Sequence, residues 1–359
     1  MGREHLPSIC SSVAGVGAAF AALLCALALT LAGGCSVRTG SKLLVPASGG
    51  DEGAWASPIA RHHPLVGTIH DVARGRTIAP VELNDALVAA DFVLLGEQHD
   101  NVDHHELQAY LLKELAMAGR RPAVAFEQLD LDRQQAVDAS LTARATAPTR
   151  ERASALAEAV NWKDSGWPPF DQYRPLFETA IGAGLEIRAA NLSRAQVRRS
   201  NGPEAGAASG PAAKSEPVLS TEARASLAAD IKESHCGYAD ARMVEAMIEA
   251  QRRRDQTMAG VAVDALGSPL SKSVVLVAGF GHARSDFGVP VYLHRRAPGR
   301  RVVSVAFLEV LPDLTTPAAY ARPLHAERLP FDYVIFTPRA DDEDPCEKFR
   351  ESLEKMKAR

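Results

Sequence analysis

Short, uninterrupted apolar runs alternate with amphipathic stretches through most of this chain. VGTIHDVARGRTIAP (66–80) predicts a hairpin turning at Arg74–Gly75, and VELNDALVAA (81–90) a helix. DFVLLG reads as a buried strand, and HHELQAYLLKELAMAG as a helix with Leu107, Leu111 and Leu115 on one face. The alternation then repeats. PAVAFE is a strand and LDRQQAVDASL a helix, followed by FDQYRPLFETAIGAG as a helix and LEIRAAN as a strand. Helices are expected again near Thr221 and from Asp240 to about Leu266, and SVVLVAGFGH, RVVSVAFLEVL and FDYVIF supply the last strands. Continuous apolar strands separated by helices predict an α/β fold: a mostly parallel central sheet, helices on both faces, and a crevice at the strand C-terminal edge.

The flanks break this pattern. No charge occurs from Val13 to Leu31, a stretch long enough to span a bilayer, yet it ends in LAGGCS. Small residues directly before Cys35 resemble a bacterial lipoprotein processing site. That likeness implies a signal peptide over 1–34, cleavage after Gly34 and lipid on Cys35, so the mature chain is held to the bilayer without a spanning helix. An uncleaved anchor or an over-long ordinary signal peptide are the alternatives. Ser36 after the cysteine resembles Gram-negative lipoproteins of the outer membrane facing the periplasm. Residues 35–62, rich in Gly, Ser, Pro and Ala, read as a flexible tether. Residues 199–220 read as a mobile insertion and 339–359 as a charged tail, leaving 63–338 as the α/β domain. Of five cysteines, three would survive processing; with Cys35 lipidated, Cys236 and Cys346 could pair in an oxidising compartment.

Composition narrows the classes. With 46% hydrophobic and 23% charged residues over 359 positions, the chain can build a sizeable core. A net charge of -4 and no long basic run leave no electrostatic footprint for nucleic acid. Neither LLGEQH nor AGFGHA matches GxGxxG, which disfavours a dinucleotide site. HExxH, CxxCH and GxSxG are absent, so zinc-protease, covalent c-type haem and serine-esterase readings lack their motifs.

Candidate chemistry lies where the strands end. VLLG leads to Glu97 and His99, VAF to Glu127, IRAA to Asn191 and VLVAGFG to His282. One polar ending is an ordinary cap; four suggest convergence on one edge. Gln251 and Asp255 fall on the apolar stripe of the 240–266 helix, with Val244, Met247, Ile248, Met258, Ala259 and Ala262. A buried carboxylate needs a partner: either a core ion pair with Arg252 or Arg174, or a histidine or ligand in the crevice. Glu97, His99, Glu127, Asp255 and His282 are therefore the candidate catalytic residues. Among them Glu97, His99 and His282 are candidate ligands for a divalent Mn, Co, Zn or Fe, or the group forms acid–base machinery without metal. Asp100 is expected to cap the following helix, and of His104 and His105 in its first turn one is expected to face solvent.

Several stretches carry a wider likeness. LLGEQHDNVDHHELQ, AVAFEQLDLDRQQ, WPPFDQYRPLFETA, AANLSRAQ, HCG at 235–237, MIEAQRRRDQTMA and VLVAGFGHARSDFGVPVYL resemble, over roughly 85–295, the ChaN-like haem-binding lipoproteins. That family belongs with the Tiki proteases, TraB proteins and erythromycin esterases, whose shared GExH element is here Gly96-Glu97-Gln98-His99. By this likeness Glu97, His99, Glu127 and His282 correspond to the common polar cluster. The resemblance implies haem binding with tyrosine coordination of iron, a homodimer around paired haems, and service in haem or iron acquisition. Tyr110, Tyr173 and Tyr238 are the candidates. Tyr173 is favoured as the cofactor-binding residue, beside Trp162, Trp167, Pro168, Pro169 and Phe170, though packing of its helix would also explain it. The superfamily's hydrolases offer an alternative, a metal-dependent or metal-free hydrolase using the cluster; an envelope scaffold with a structural cluster is the third reading.

Overall fold

The computed structural model describes residues 55–200 and 219–344, with residues 346, 347, 350, 351 and 354 of the tail. The expected signal segment, Cys35, the tether up to residue 54 and positions 201–218 of the insertion lie outside the described residues.

Eight strands hydrogen-bond into one sheet: β1 (Ile69–Asp71), β2 (Arg76–Ile78), β3 (Phe92–Glu97), β4 (Pro122–Asp130), β5 (Ile187–Asn191), β6 (Ser273–Gly279), β7 (Val302–Glu309) and β8 (Tyr333–Thr337). Their order is β2-β1-β8-β7-β3-β6-β4-β5. The six from β8 to β5 are parallel, while β1 runs antiparallel to both β2 and β8. The apolar runs are the strands because both faces are covered; every residue of β3 and β6 is buried.

The helices of the domain are α1 (Pro80–Val88), α2 (Val102–Met117), α3 (Gln134–Ala143), α4 (Thr149–Ala159), α5 (Phe170–Gly182), α6 (Arg194–Ser200), α7 (Thr221–Ser234), α8 (Ala241–Leu266), α9 (Phe280–Ala283) and α10 (Val289–Arg296). From β3 through α2 to β4, and through α5 to β5, the chain advances in one direction along the sheet. From β5 through α8 to β6, and through α10 to β7, it returns. Right-handed crossovers then put α2 and α5 on one face and α8 and α10 on the other. Packing agrees: α2 lies on α5, and α10 on α8. Strand β6 sits between β3 and β4 but leaves toward the opposite face, so the connections part above it. That parting is where an open α/β sheet forms a crevice.

Two boundaries differ from expectation. Strand β6 ends at Gly279, and His282 rides on the helical turn α9 that follows. Asn101, not Asp100, caps α2, accepting from the N–H groups of Asp103 (3.0 Å) and His104 (3.3 Å). Its amide also donates to Glu309 (2.7 Å) and the Pro338 carbonyl (3.0 Å), a buried use that an aspartate lacks donors for. Cys236 and Cys346 form a disulfide that ties the α7–α8 loop to the tail.

Candidate functional site

Two glycines let the strand ends converge. Leu95 of β3 and Phe126 of β4 both pair with Val277 of β6, so Glu97 and Glu127 emerge on either side of Gly279. A methyl group on Gly279 would stand 2.9 Å from Nε2 and 3.0 Å from Cε1 of His99; the bare Cα is the floor on which that imidazole rests. A methyl on Gly96 would lie 2.8 Å from the Phe280 backbone, so Gly96 lets α9 close onto β3 and bring His282 inward.

One half of the site is built around a carboxylate. Oε1 of Glu97 accepts from the Tyr173 hydroxyl (2.6 Å), Nε2 of Gln128 (2.9 Å) and Nδ1 of His99 (2.9 Å). Nε2 of His105 lies 3.6 Å away, its ring stacked 3.9 Å from that of Tyr173. Burial alone would raise the Glu97 carboxyl, but the imidazoles of His105 and His99 outweigh it and hold the group well below the carboxylate range. Burial likewise opposes charge on His99, yet Glu97 and Glu127 prevail and raise its pKa. His99 is the accessible member: its side chain is 37% exposed and meets Trp167 edge-on at 4.8 Å.

The other half is built around an imidazole. Nδ1 of His282 lies 2.6 Å from Oδ1 of Asp255 and 3.0 Å from the Gln251 amide, and Nε2 lies 3.3 Å from Oε1 of Glu127. Oε2 of Glu127 accepts from the Gly279 N–H at 2.7 Å. Burial would lower the His282 pKa, but carboxylates on both sides push it up to about 10. Asp255 is pushed up to about 6 by burial, an effect that His282 only partly offsets. Glu127 is held down to about 2 because His282 and His99 overcome its burial. At neutral pH His282 is thus a buried cation between carboxylates.

The structure therefore brings Glu97, His99, Glu127, Asp255 and His282 together. The partner of Asp255 is His282 rather than Arg252 or Arg174. Asn191 stands apart, its Oδ1 accepting from the Leu192 N–H (2.8 Å) and Nη1 of Arg254 (3.3 Å). The expectation that His104 or His105 faces solvent fails, because both are fully buried. His104 accepts from the Gln98 N–H (2.8 Å) and donates to Thr337 (2.8 Å); burial lowers its pKa to about 3. Tyr173 is fully buried, spends its proton on Glu97, and has its pKa raised by burial and by that carboxylate. In this structure it acts as a donor that positions Glu97. The expected metal site at Glu97, His99 and His282 is not formed either: among the described residues no group of three His, Cys, Asp or Glu side chains could hold a metal ion. Both nitrogens of His282 are taken by carboxylates, and Glu97 faces its own ring of donors. Sequence reasoning missed Gln128 and Gly279; a polar residue inside an otherwise apolar strand was the available signal for Gln128.

The model of the family described as "Haem-binding uptake, Tiki superfamily, ChaN" matches residues 83–293, more than half of the chain. No curated protein matches. Among solved structures, ChaN of Campylobacter jejuni, described as binding haem cofacially, is similar at 23% identity and a TM-score of 0.58, over 74% of this chain and 95% of that one. A mutant of the erythromycin esterase EreC in its open conformation is similar at 15% identity and a TM-score of 0.39, over 78% of this chain and 98% of that one. On the family match, this chain belongs to the ChaN family of haem-binding uptake proteins in the Tiki superfamily.

Proposed function

We propose that this protein binds haem in the crevice at the C-terminal edge of its sheet, as a lipid-anchored envelope protein of haem or iron uptake. The observation that carries the reading is the family match over 83–293, which spans every strand end that contributes to the polar rim. The residues present suit a porphyrin. Trp167, edge-on to His99, and Trp162 wall a cavity of about 460 Å³ beside the rim. A concave site that mixes aromatic walls with a few fixed polar groups suits a flat conjugated ligand. Bound haem would supply the iron; the chain supplies shape, donors and charge. A tyrosine ligand needs a phenol that can lose its proton and be reached. Tyr173 is sealed in, Tyr110 is partly buried against the core, and Tyr238 on the α7–α8 loop is 56% exposed. Tyr238 is the exposed one of the three and is therefore the first to substitute in the test below. Cofacial haem binding is described for the Campylobacter protein, and for this chain we propose a homodimer facing across paired haems. Lipid on Cys35 would hold that dimer at the outer membrane, facing the periplasm.

The test is a hemin titration of the full chain in detergent. Saturation at one haem per chain, with a Soret band altered by Tyr238→Phe and unaltered in position by Tyr173→Phe, is the expected result. A Soret band that never saturates sinks the reading.

A second reading, a hydrolase, is favoured by the buried Asp255–His282–Glu127 chain. Because His282 is charged at neutral pH, it serves there as an acid or as a cation facing an oxyanion, with Glu127 and Asp255 holding it in place. Hydrolysis of a chromogenic ester that Glu127→Gln abolishes, with hemin binding intact, would establish this activity; no turnover above a buffer blank removes it.

A further inference from the structure

The cavity beside the rim has a second character, a concentration of positive charge, of which one member, Arg254, also acts on Asp255 of the rim. Over the ends of β4 and β5 it is lined by three guanidiniums, Arg133, Arg194 and Arg254, from three separate segments of the chain. Two carboxyls, Asp130 and Asp164, also line it, so the cations outnumber the anions. Among the described residues Arg254 bonds to a neutral acceptor, Oδ1 of Asn191 at 3.3 Å, and neither Arg194 nor Arg254 forms an ion pair. Arg133 has Asp132 at 4.0 Å, on an exposed face. All three arginines act on the carboxyl of Asp130, which burial nevertheless lifts above its ordinary value, so their charges converge on one small volume. A further polar residue borders the same space. Gln128 is buried, lines the cavity, and has Oε1 without a hydrogen-bond partner while its Nε2 is held by Glu97. Arginine is the side chain whose planar fork matches a carboxylate with two parallel N–H donors.

We infer that this cavity is an acid-binding subsite, in which Arg194 and Arg254 hold the carboxylates of a porphyrin whose conjugated body lies along Trp162 and Trp167. The inference rests on the haem reading and deepens it. Arg133 and Gln128 border the same subsite, Arg133 adding positive charge and Gln128 an acceptor for a protonated acid or bound water. The polar rim and the arginines thus address different parts of one ligand: the rim faces its body and the arginines its acids.

The experiment titrates the full chain in detergent with hemin, with hemin dimethyl ester, whose acids are capped, and with metal-free protoporphyrin IX. The Soret band reports the first two, and quenching of tryptophan fluorescence reports all three. Wild type is expected to favour hemin over the ester by more than about tenfold, and to bind the metal-free dicarboxylate with a similar preference over an ester. Arg194→Gln with Arg254→Gln is expected to weaken hemin by about a hundredfold and leave the ester unchanged, since each charge-assisted bond is worth roughly a factor of ten. Unchanged ester binding doubles as the check on folding. Arg254→Lys, which keeps charge but loses the fork, should recover part of the loss. Equal affinity of wild type for hemin and its ester, or full hemin affinity in the double variant, overturns the subsite while the haem reading stands. Binding of none of the three probes by wild type overturns both.

Discussion

The two halves of the polar rim are electrostatic opposites built from the same residue types. Around Glu97, one carboxylate gathers a phenol, an amide and imidazoles; around His282, one imidazole gathers carboxylates and an amide. The first half keeps an anion buried by surrounding it with donors. The second keeps a cation buried by surrounding it with anions. Between them stands Gly279, whose N–H serves Glu127 and whose missing side chain leaves room for His99. The difference teaches where each half is fragile: each fails through its central group.

The largest effect is expected from His282→Ala. Removing the cation takes from Asp255 and Glu127 the charge that both contact, leaving only His99 and Arg254 further off, and loss of one partner of a buried ion pair costs about 3–5 kcal/mol. Chemical denaturation should show a midpoint lowered accordingly; a loss below about 1 kcal/mol would mean the two carboxyls share a proton without help. Glu97→Gln comes next, at about 1.5–3 kcal/mol, because an amide keeps the shape but weakens three bonds made to a charge. Its clearer signature is at His99, whose raised pKa should fall when Glu97 is neutral, followed by proton NMR of the imidazole.

Acidity separates the halves further. The folded pKa of His282, about 10, lies above its ordinary 6.5, so the stability it lends is complete below about pH 6.5 and is lost as pH rises through about 10. Asp255 works in the same direction at lower pH: its pKa is raised to about 6 from 3.8, so stability favouring its protonated form fades across that interval. Glu97 is depressed, so its contribution is complete above its ordinary 4.5 and vanishes only as pH falls far below that value. Urea titrations against pH should therefore show an alkaline limb that His282→Ala flattens and an acid limb that Glu97→Gln flattens. An alkaline limb that persists unchanged in His282→Ala would show that the second half does not set it.

The contrast also marks what sequence could convey. Glu97, Glu127 and His282 were legible because each ends or follows an apolar run, and the crevice follows from the strand pattern. Asp255 was legible as a charge on an apolar stripe, where physics demands a partner. The partners were less so. His105 and Tyr173 meet by stacking between α2 and α5, a contact set by how two helices cross and not by local spacing. The rule that one of two adjacent helical histidines faces water failed because the start of α2 is covered on all sides. His104 points at Thr337 of β8, His105 at Tyr173, and Asp103 binds the backbone of Ala56 and Ser57. The antiparallel addition of β1 beside β8 was equally unreadable, since nothing in a short hairpin names the strand it will join.

Gly279→Ala tests the seam between the halves. The new methyl would press on the His99 ring at about the 2.9 Å seen for an ideal Cβ, and overpacking of this kind costs roughly 1–3 kcal/mol. Because the side chain of His99 is partly exposed, the ring is expected to swing outward, breaking its 2.9 Å bond to Glu97 while the His282 half stays intact. In NMR titrations the His99 resonance should then move toward an ordinary imidazole pKa with that of His282 unchanged. Equal disturbance of both histidines would show that the halves titrate as one unit.

The smallest effect is expected from Tyr173→Phe, which deletes one donor to Glu97 and leaves the ring stacked on His105. Gln128 and His99 still serve the carboxylate, so the loss should be about 1.5 kcal/mol, the lower end of the worth of one bond to a charged acceptor. The same substitution separates two roles for a tyrosine in this family. If Tyr173 only positions Glu97, the haem complex of Tyr173→Phe keeps its ligand-field spectrum and loses at most a few-fold in affinity, about 1 kcal/mol or less. If its oxygen were on iron, the charge-transfer bands of a ferric phenolate would vanish with it, and the buried hydroxyl would have to leave Glu97 whenever haem binds. The 2.6 Å bond from its hydroxyl to the ionised Glu97 is the reason to expect the first result.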